Sequence, residues 1–139
     1  MAKNAITVTG DKALVAKMLG LAPAAQKRVI KPAARAAGRP IRDLARQLAP
    51  RDTGLLSRTI EMVTRSGRNP GVMVQMPRRQ KIGIPPEDKY YYPAIVEYGH
   101  KGAAAKPYMR PAWEMRKASS LVIFERELWK GVKREARLK

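Results

Sequence analysis

His100 is the only histidine of the chain, and Glu97 stands close before it. A carboxylate near an imidazole is the minimal pair for general acid and base work, so a small basic nuclease is one chemistry these two residues could serve. The other acidic pair, Glu87-Asp88, sits in a charged stretch without a recognisable frame and reads as solvated. No cysteine is present, which removes thiolate nucleophiles, disulfides and cysteine-rich zinc sites together and is compatible with reducing cytoplasm. A single histidine cannot build a multi-histidine metal site within one chain. No phosphate loop or dinucleotide fingerprint appears. These residues therefore point away from an enzyme, a metal site or a cofactor, and toward a structural or binding role.

Charge is the second chemical feature. Lys plus Arg is 29 against 11 for Asp plus Glu, a formal net charge of +18 in 139 residues. Acidic surfaces and nucleic acid become plausible partners. Hydrophobic residues make up 45% of the chain, too many for a disordered basic tail, so the chain should fold. Its length suits one domain spanning 1–139. No run of about 18 apolar residues offers a membrane span, and the N-terminus lacks the apolar core of a secretory signal. The expectation is a soluble intracellular protein.

These residues need elements to position them. Ala5 to Thr9 alternates as a short strand would, Gly10-Asp11 reads as a break and cap, and Lys12 to Leu21 as a short helix. From Ala24 to Leu48, Ile30, Ala33, Ala37, Ile41, Leu44 and Leu48 recur at helical spacing and form one apolar face. Arg28, Lys31, Arg35, Arg39, Arg42 and Arg46 recur on the opposite arc. That basic stripe is either a solvated face or a contact surface for an acidic partner or DNA. Pro32 and Pro40 fall inside the pattern and predict a kink or division, with Pro40 the preferred place.

The middle reads as β-structure. Ile60, Met62 and Thr64 share one side of Arg58–Arg65, and Val72, Val74 and Met76 share one side of the next run. Ser66 to Gly71 is the connecting turn. A lone hairpin is marginal, so it must gain strands or pack on helices, and Tyr90 to Tyr98 is the expected further strand. Pro77 to Lys89 reads as a long exposed loop or arm whose Arg78, Arg79 and Lys81 are candidate contacts to an acidic ring surface or DNA. A terminal helix is expected from Pro111, with Trp113, Leu121, Phe124, Leu128 and Val132 as core and Arg126, Lys130, Lys133, Arg134 and Arg137 on a basic arc. Val122 and Ile123 fall off the main stripe, as a second buried face or as scattered exposed residues. Glu97 should pair with an Arg, Arg110 being the candidate within the chain. Pro107, Tyr108 and Met109 should anchor their loop.

Three local patterns stand in fixed order after the long helix. The first carries Pro50, Thr53, Gly54 and Leu56, where Pro50 stops the helix and Gly54 permits positive φ. The second carries Tyr92, Val96, Glu97, Tyr98 and Gly99. The third runs Pro107, Tyr108, Met109, Arg110, Pro111 and Ala112. Together they resemble a family of tailed-bacteriophage tail-completion or head-to-tail joining proteins, often described as minor tail or neck components. The resemblance covers most of the chain from the long helix onward. His100 departs from it, standing where a small hydroxyl residue is common, as do the prolines of the long helix.

The resemblance implies an α+β subunit: a small antiparallel β-sheet packed with a long helix from the N-terminal half and a C-terminal helix. It implies a non-enzymatic virion protein, made in the host cytoplasm, that forms a homo-oligomeric ring, a hexamer by tail symmetry. Its partners would be the head connector or head-closure protein and the tail terminator or tube, with genomic DNA passing nearby and no cofactor or membrane involved. The alternative from charge alone is a basic nucleic-acid-binding domain contacting phosphates. Against it, no recognised DNA-binding motif or stacking platform is visible.

Overall fold

A computed structural model describes residues 12–51, 54–66 and 71–137. The elements follow in order as α1 (Lys12–Leu19), α2 (Pro23–Leu48), α3 (Leu55–Thr59), β1 (Glu61–Arg65), β2 (Gly71–Gln75), a single 3-10 turn (Arg79–Ile82), α4 (Tyr92–Tyr98) and α5 (Met109–Arg137). The fold is α+β. The expected strand at Ala5–Thr9 and the cap at Gly10-Asp11 lie outside the described residues, as do Asp52, Thr53 and most of the hairpin turn.

Helix α2 is the spine. Pro23 opens it, where its missing N–H costs nothing, and Ala25, Val29, Ala33, Ile41, Leu44 and Ala45 are its buried positions. It runs as one helix through Pro32 and Pro40, so of the expected kink or division the division does not occur. Packing along the whole length offsets the local cost of about 3 kcal/mol per interior proline. Helix α5 lies antiparallel along one side of α2. The face it turns inward is built of small residues: Ala112, Ser120 and Gly131 are buried with Leu128 and Val132. A Cβ on Gly131 would lie 2.7 Å from Val29 Cγ1, so this close approach admits only glycine.

That geometry corrects the expected α5 core. Trp113 is 40% exposed and Leu121 41% exposed, because the helix turns a small-residue seam toward α2 and leaves these larger side chains at its flank. Val122, at 64% exposure, is not buried within the chain. The helix also starts before Pro111, at Met109, for a reason given below.

The hairpin packs on α2. β1 and β2 are antiparallel with Met62 opposite Val74 and Thr64 opposite Val72, so the two expected faces coincide. Val72, Val74 and Met62 reach α2 at Gly38. β1 is shorter than expected, since Leu55–Thr59 form α3. Among the described residues the sheet has two strands; the expected third strand, Tyr90–Tyr98, is instead the helix α4. Pro93 fits its first turn and Gly99 ends it, while Tyr92 and Val96, one helical turn apart, pack on the core and Tyr98 stays exposed. The Pro77–Lys89 segment is less free than an arm. Pro77 and Ile82 are buried, and only the stretch from Pro85 to Tyr90 is uniformly exposed.

Two apolar clusters result. One joins Ile41, Leu44, Ala45, Ala49, Leu56, Ile60, Tyr108 and Ala112. The other joins α1, the start of α2 and the end of α5 around Leu14, Val29, Leu128 and Val132. No helix among the described residues is long and apolar enough to cross a membrane.

Candidate functional site

The three sequence patterns meet at one place, and Glu97 is its centre. Helix α4 is short, yet it turns Pro93 and Glu97, one helical turn apart, toward the interior. Glu97 has no exposed surface. Its carboxylate Oε2 accepts the backbone N–H of Tyr108 at 2.7 Å and of Met109 at 2.9 Å. Oε1 accepts the backbone N–H of Arg110 at 2.9 Å and the Arg110 Nε–H at 3.2 Å.

These donors belong to the start of α5. The first turn of a helix leaves N–H groups without intrahelical partners and carries partial positive charge. Glu97 supplies the missing acceptors from a separate helix. Pro111 follows with no N–H to satisfy, so the entry of α5 is complete without water. This is why the helix begins at Met109 instead of Pro111. The Arg110 guanidinium also donates to the Glu97 carbonyl at 3.0 Å and lies 5.0 Å over the Tyr98 ring. Burial alone would push the Glu97 carboxyl up; the three backbone donors and Arg110 outweigh it and hold the group below the ordinary carboxylate range.

Tyr108 is the apolar counterpart. It is fully buried, and its hydroxyl donates to the Pro93 carbonyl at 2.9 Å. Burial first, then the neighbouring Glu97 charge, raises its phenol well above the usual range. Met109 packs on the same cluster. Pro107, expected to anchor the loop, is exposed instead, because the chain enters the interior only at Tyr108. Gly99 has φ 74° and ψ 174°, a region open to glycine alone, and a Cβ there would lie 2.8 Å from the Ala105 nitrogen. This lets the 100–105 loop fold back so that Lys106 N–H reaches the Val96 carbonyl at 2.8 Å.

The first pattern reaches the same core from the other side. Pro50 follows the end of α2, Gly54 takes a left-handed conformation at the start of α3 with φ 74°, and Leu56 is buried in the cluster that holds Tyr108. Thr53 lies outside the described residues. Arg46 joins this turn to the hairpin: its guanidinium donates twice to the Ile60 carbonyl, at 3.0 and 2.7 Å, and Ser57 Oγ donates to the Arg46 carbonyl at 2.8 Å.

An acid and base pair of Glu97 and His100 does not fit this geometry. Both carboxylate oxygens are saturated and buried, whereas His100 is exposed, with Nδ1 2.8 Å from the Lys101 carbonyl oxygen within its own loop. The other candidate contact residues are distributed among intramolecular partners. Arg35 donates to Thr64 Oγ1 at 2.9 Å, and Arg42 pairs with its neighbour Asp43 at 3.0 Å. Arg39 is exposed. Arg78 and Lys81 both bind Glu61, and Arg79 lies 5.1 Å over the Tyr91 ring while donating to the Asp88 carbonyl. Lys81 first, then Arg78 and Gln75, act against burial to hold the Glu61 carboxyl at about 2.

Sequence reasoning missed Glu61 as an anchor of the 77–82 segment. Its signal was slight: a lone acid opening a strand in a basic chain. Comparison with protein-family models, curated proteins and solved structures finds no match in any of the three.

Proposed function

We propose that the chain is a non-enzymatic structural subunit of the tailed-bacteriophage neck, forming a ring that completes the tail end and joins it to the head connector. The observation that carries this reading is the convergence of the three ordered patterns on one buried knot. Leu56 comes from a segment well before Glu97, Tyr108 and Ala112, yet it packs in the cluster that holds Tyr108 and Ala112, beside the helix entry that Glu97 satisfies. These residues brace the fold, and their central carboxylate is buried and hydrogen-bonded within the chain.

Further support comes from apolar residues left exposed along α5. Trp113, Met115, Leu121 and Val122 remain 40% to 64% exposed and offer apolar area to a neighbour. In this reading the ring is a hexamer in the virion neck, assembled in the host cytoplasm. One face would meet the connector or head-closure protein and the other the tail terminator or tube, with genomic DNA passing through.

The test is a joining assay. Filled heads and finished tails from particles lacking this protein are mixed with the purified chain, and joined particles are counted by electron microscopy. Joining that depends on the added protein supports the reading; unjoined heads and tails at every protein concentration refute it.

A further inference from the structure

Many of the cations that the sequence marks for partner contact have partners within the fold, whereas near the end of α5 cations outnumber the acids that pair with them. Along the last turns of α5, Arg126, Lys130, Lys133 and Arg137 fall within an arc of about 60° and a rise of about 17 Å. Arg126 and Lys130 share one carboxylate, Glu127. Among the described residues, Lys133 and Arg137 meet no carboxylate within 4.0 Å. Lys17 of α1 adds a fifth cation, its Nζ 5.1 Å over the Trp129 ring, with Lys133 Nζ 6.0 Å from the same ring. Arg126, Trp129, Lys130 and Lys133 line an open cleft.

We infer that this row on α5, with Lys17, binds the phosphodiester backbone of duplex DNA. A row of four cations recurring roughly every turn of α5, flanked by Lys17 and offset by one acid, matches a polymer of evenly spaced negative charge better than a single phosphate ion. All four side chains of the row are exposed, which suits sequence-independent contact with phosphates. Lys17 and Lys133 rest on an indole that holds an ammonium only weakly at an exposed site, so both are free to move to phosphates. The assignment stands apart from the neck reading: a chain that joins no tails can still bind DNA here.

The test measures binding of a 20-base-pair duplex by anisotropy between about 50 and 200 mM salt. For Lys17→Ala/Lys130→Ala/Lys133→Ala, the slope of log affinity against log salt should shrink by about 2.7, three phosphate contacts at about 0.9 each. A control triple, Arg35→Gln/Arg42→Gln/Arg79→Gln, should change it by less than about 0.5. An unchanged slope in the first triple, an equal loss in the control, or tighter binding of the wild-type chain to phosphatidylserine vesicles than to the duplex would overturn the assignment. A second readout needs no lysine variant. In Trp113→Phe the remaining indole is Trp129, and its emission should shift as DNA draws Lys17 and Lys133 away; constant emission at saturating DNA overturns the assignment as well.

Discussion

Replacing Glu97 by alanine should be among the most damaging single changes available to this protein. Three backbone N–H groups at the entry of α5 lose their acceptor, and Arg110 loses its carboxylate. An ordinary N-cap loss costs about 1 kcal/mol for one such donor, and a buried unsatisfied donor costs about 1–3 kcal/mol. The three donors are not independent, and water entering the vacated space recovers part of the loss. The Arg110 side chain is 59% exposed and resolvates, so the ion pair itself adds little. The net cost is about 3–4 kcal/mol, which for a chain of this size lowers Tm by about 10–15 °C. Thermal melts by circular dichroism at pH 7 measure it. Glu97→Gln keeps the volume but turns an amide donor toward the backbone donors, so it should lose most of the same stability. A loss below about 1 kcal/mol in both variants would show that the carboxylate is an ordinary surface group and refute the clamp.

Three further outcomes follow from the same geometry. Gly99→Ala forces a side chain into a glycine-only backbone region and against the Ala105 nitrogen, so urea unfolding should show a loss of at least about 2 kcal/mol; a change under 0.5 kcal/mol would contradict that. The Glu61 carboxyl sits at about 2 in the fold against an ordinary 4.5. Its contribution is therefore complete above about pH 4.5 and is lost as pH falls toward 2. The urea midpoint of Glu61→Gln should accordingly fall less steeply over that window than that of the native chain, and parallel curves would rule the linkage out. Tyr108→Phe removes a buried hydroxyl that donates to the Pro93 carbonyl; it should cost about 1 kcal/mol in urea unfolding, and no change would show the bond to be idle.

The long-range frame of this fold is legible because it rests on strong periodicity. α2 repeats its apolar face over seven turns, and Met62 and Thr64 fall opposite Val74 and Val72 on one side of the hairpin, as their spacing dictates. The 92–98 segment misleads because aromatic and β-branched residues fit strands and short helices alike, and only tertiary contact with the start of α5 decides between them. Trp113 and Leu121 mislead for a different reason. Size marks them as core, but a close helix crossing is made of alanine, serine and glycine, which carry almost no hydrophobic signal. The pairing of Glu97 with Arg110 follows from charge scarcity; its three backbone partners do not, since main-chain donors are invisible in residue types. The basic stripe of α2 divides likewise, with Arg46 holding the Ile60 carbonyl and Arg39 left at the surface.

Ring assembly is the central claim, and the mass of the native assembly tests it most directly. Native mass spectrometry of the purified chain at rising concentration should reveal a closed ring, six copies of the 15.5 kDa protomer, that persists on dilution. A 15.5 kDa monomer at every concentration would contradict it.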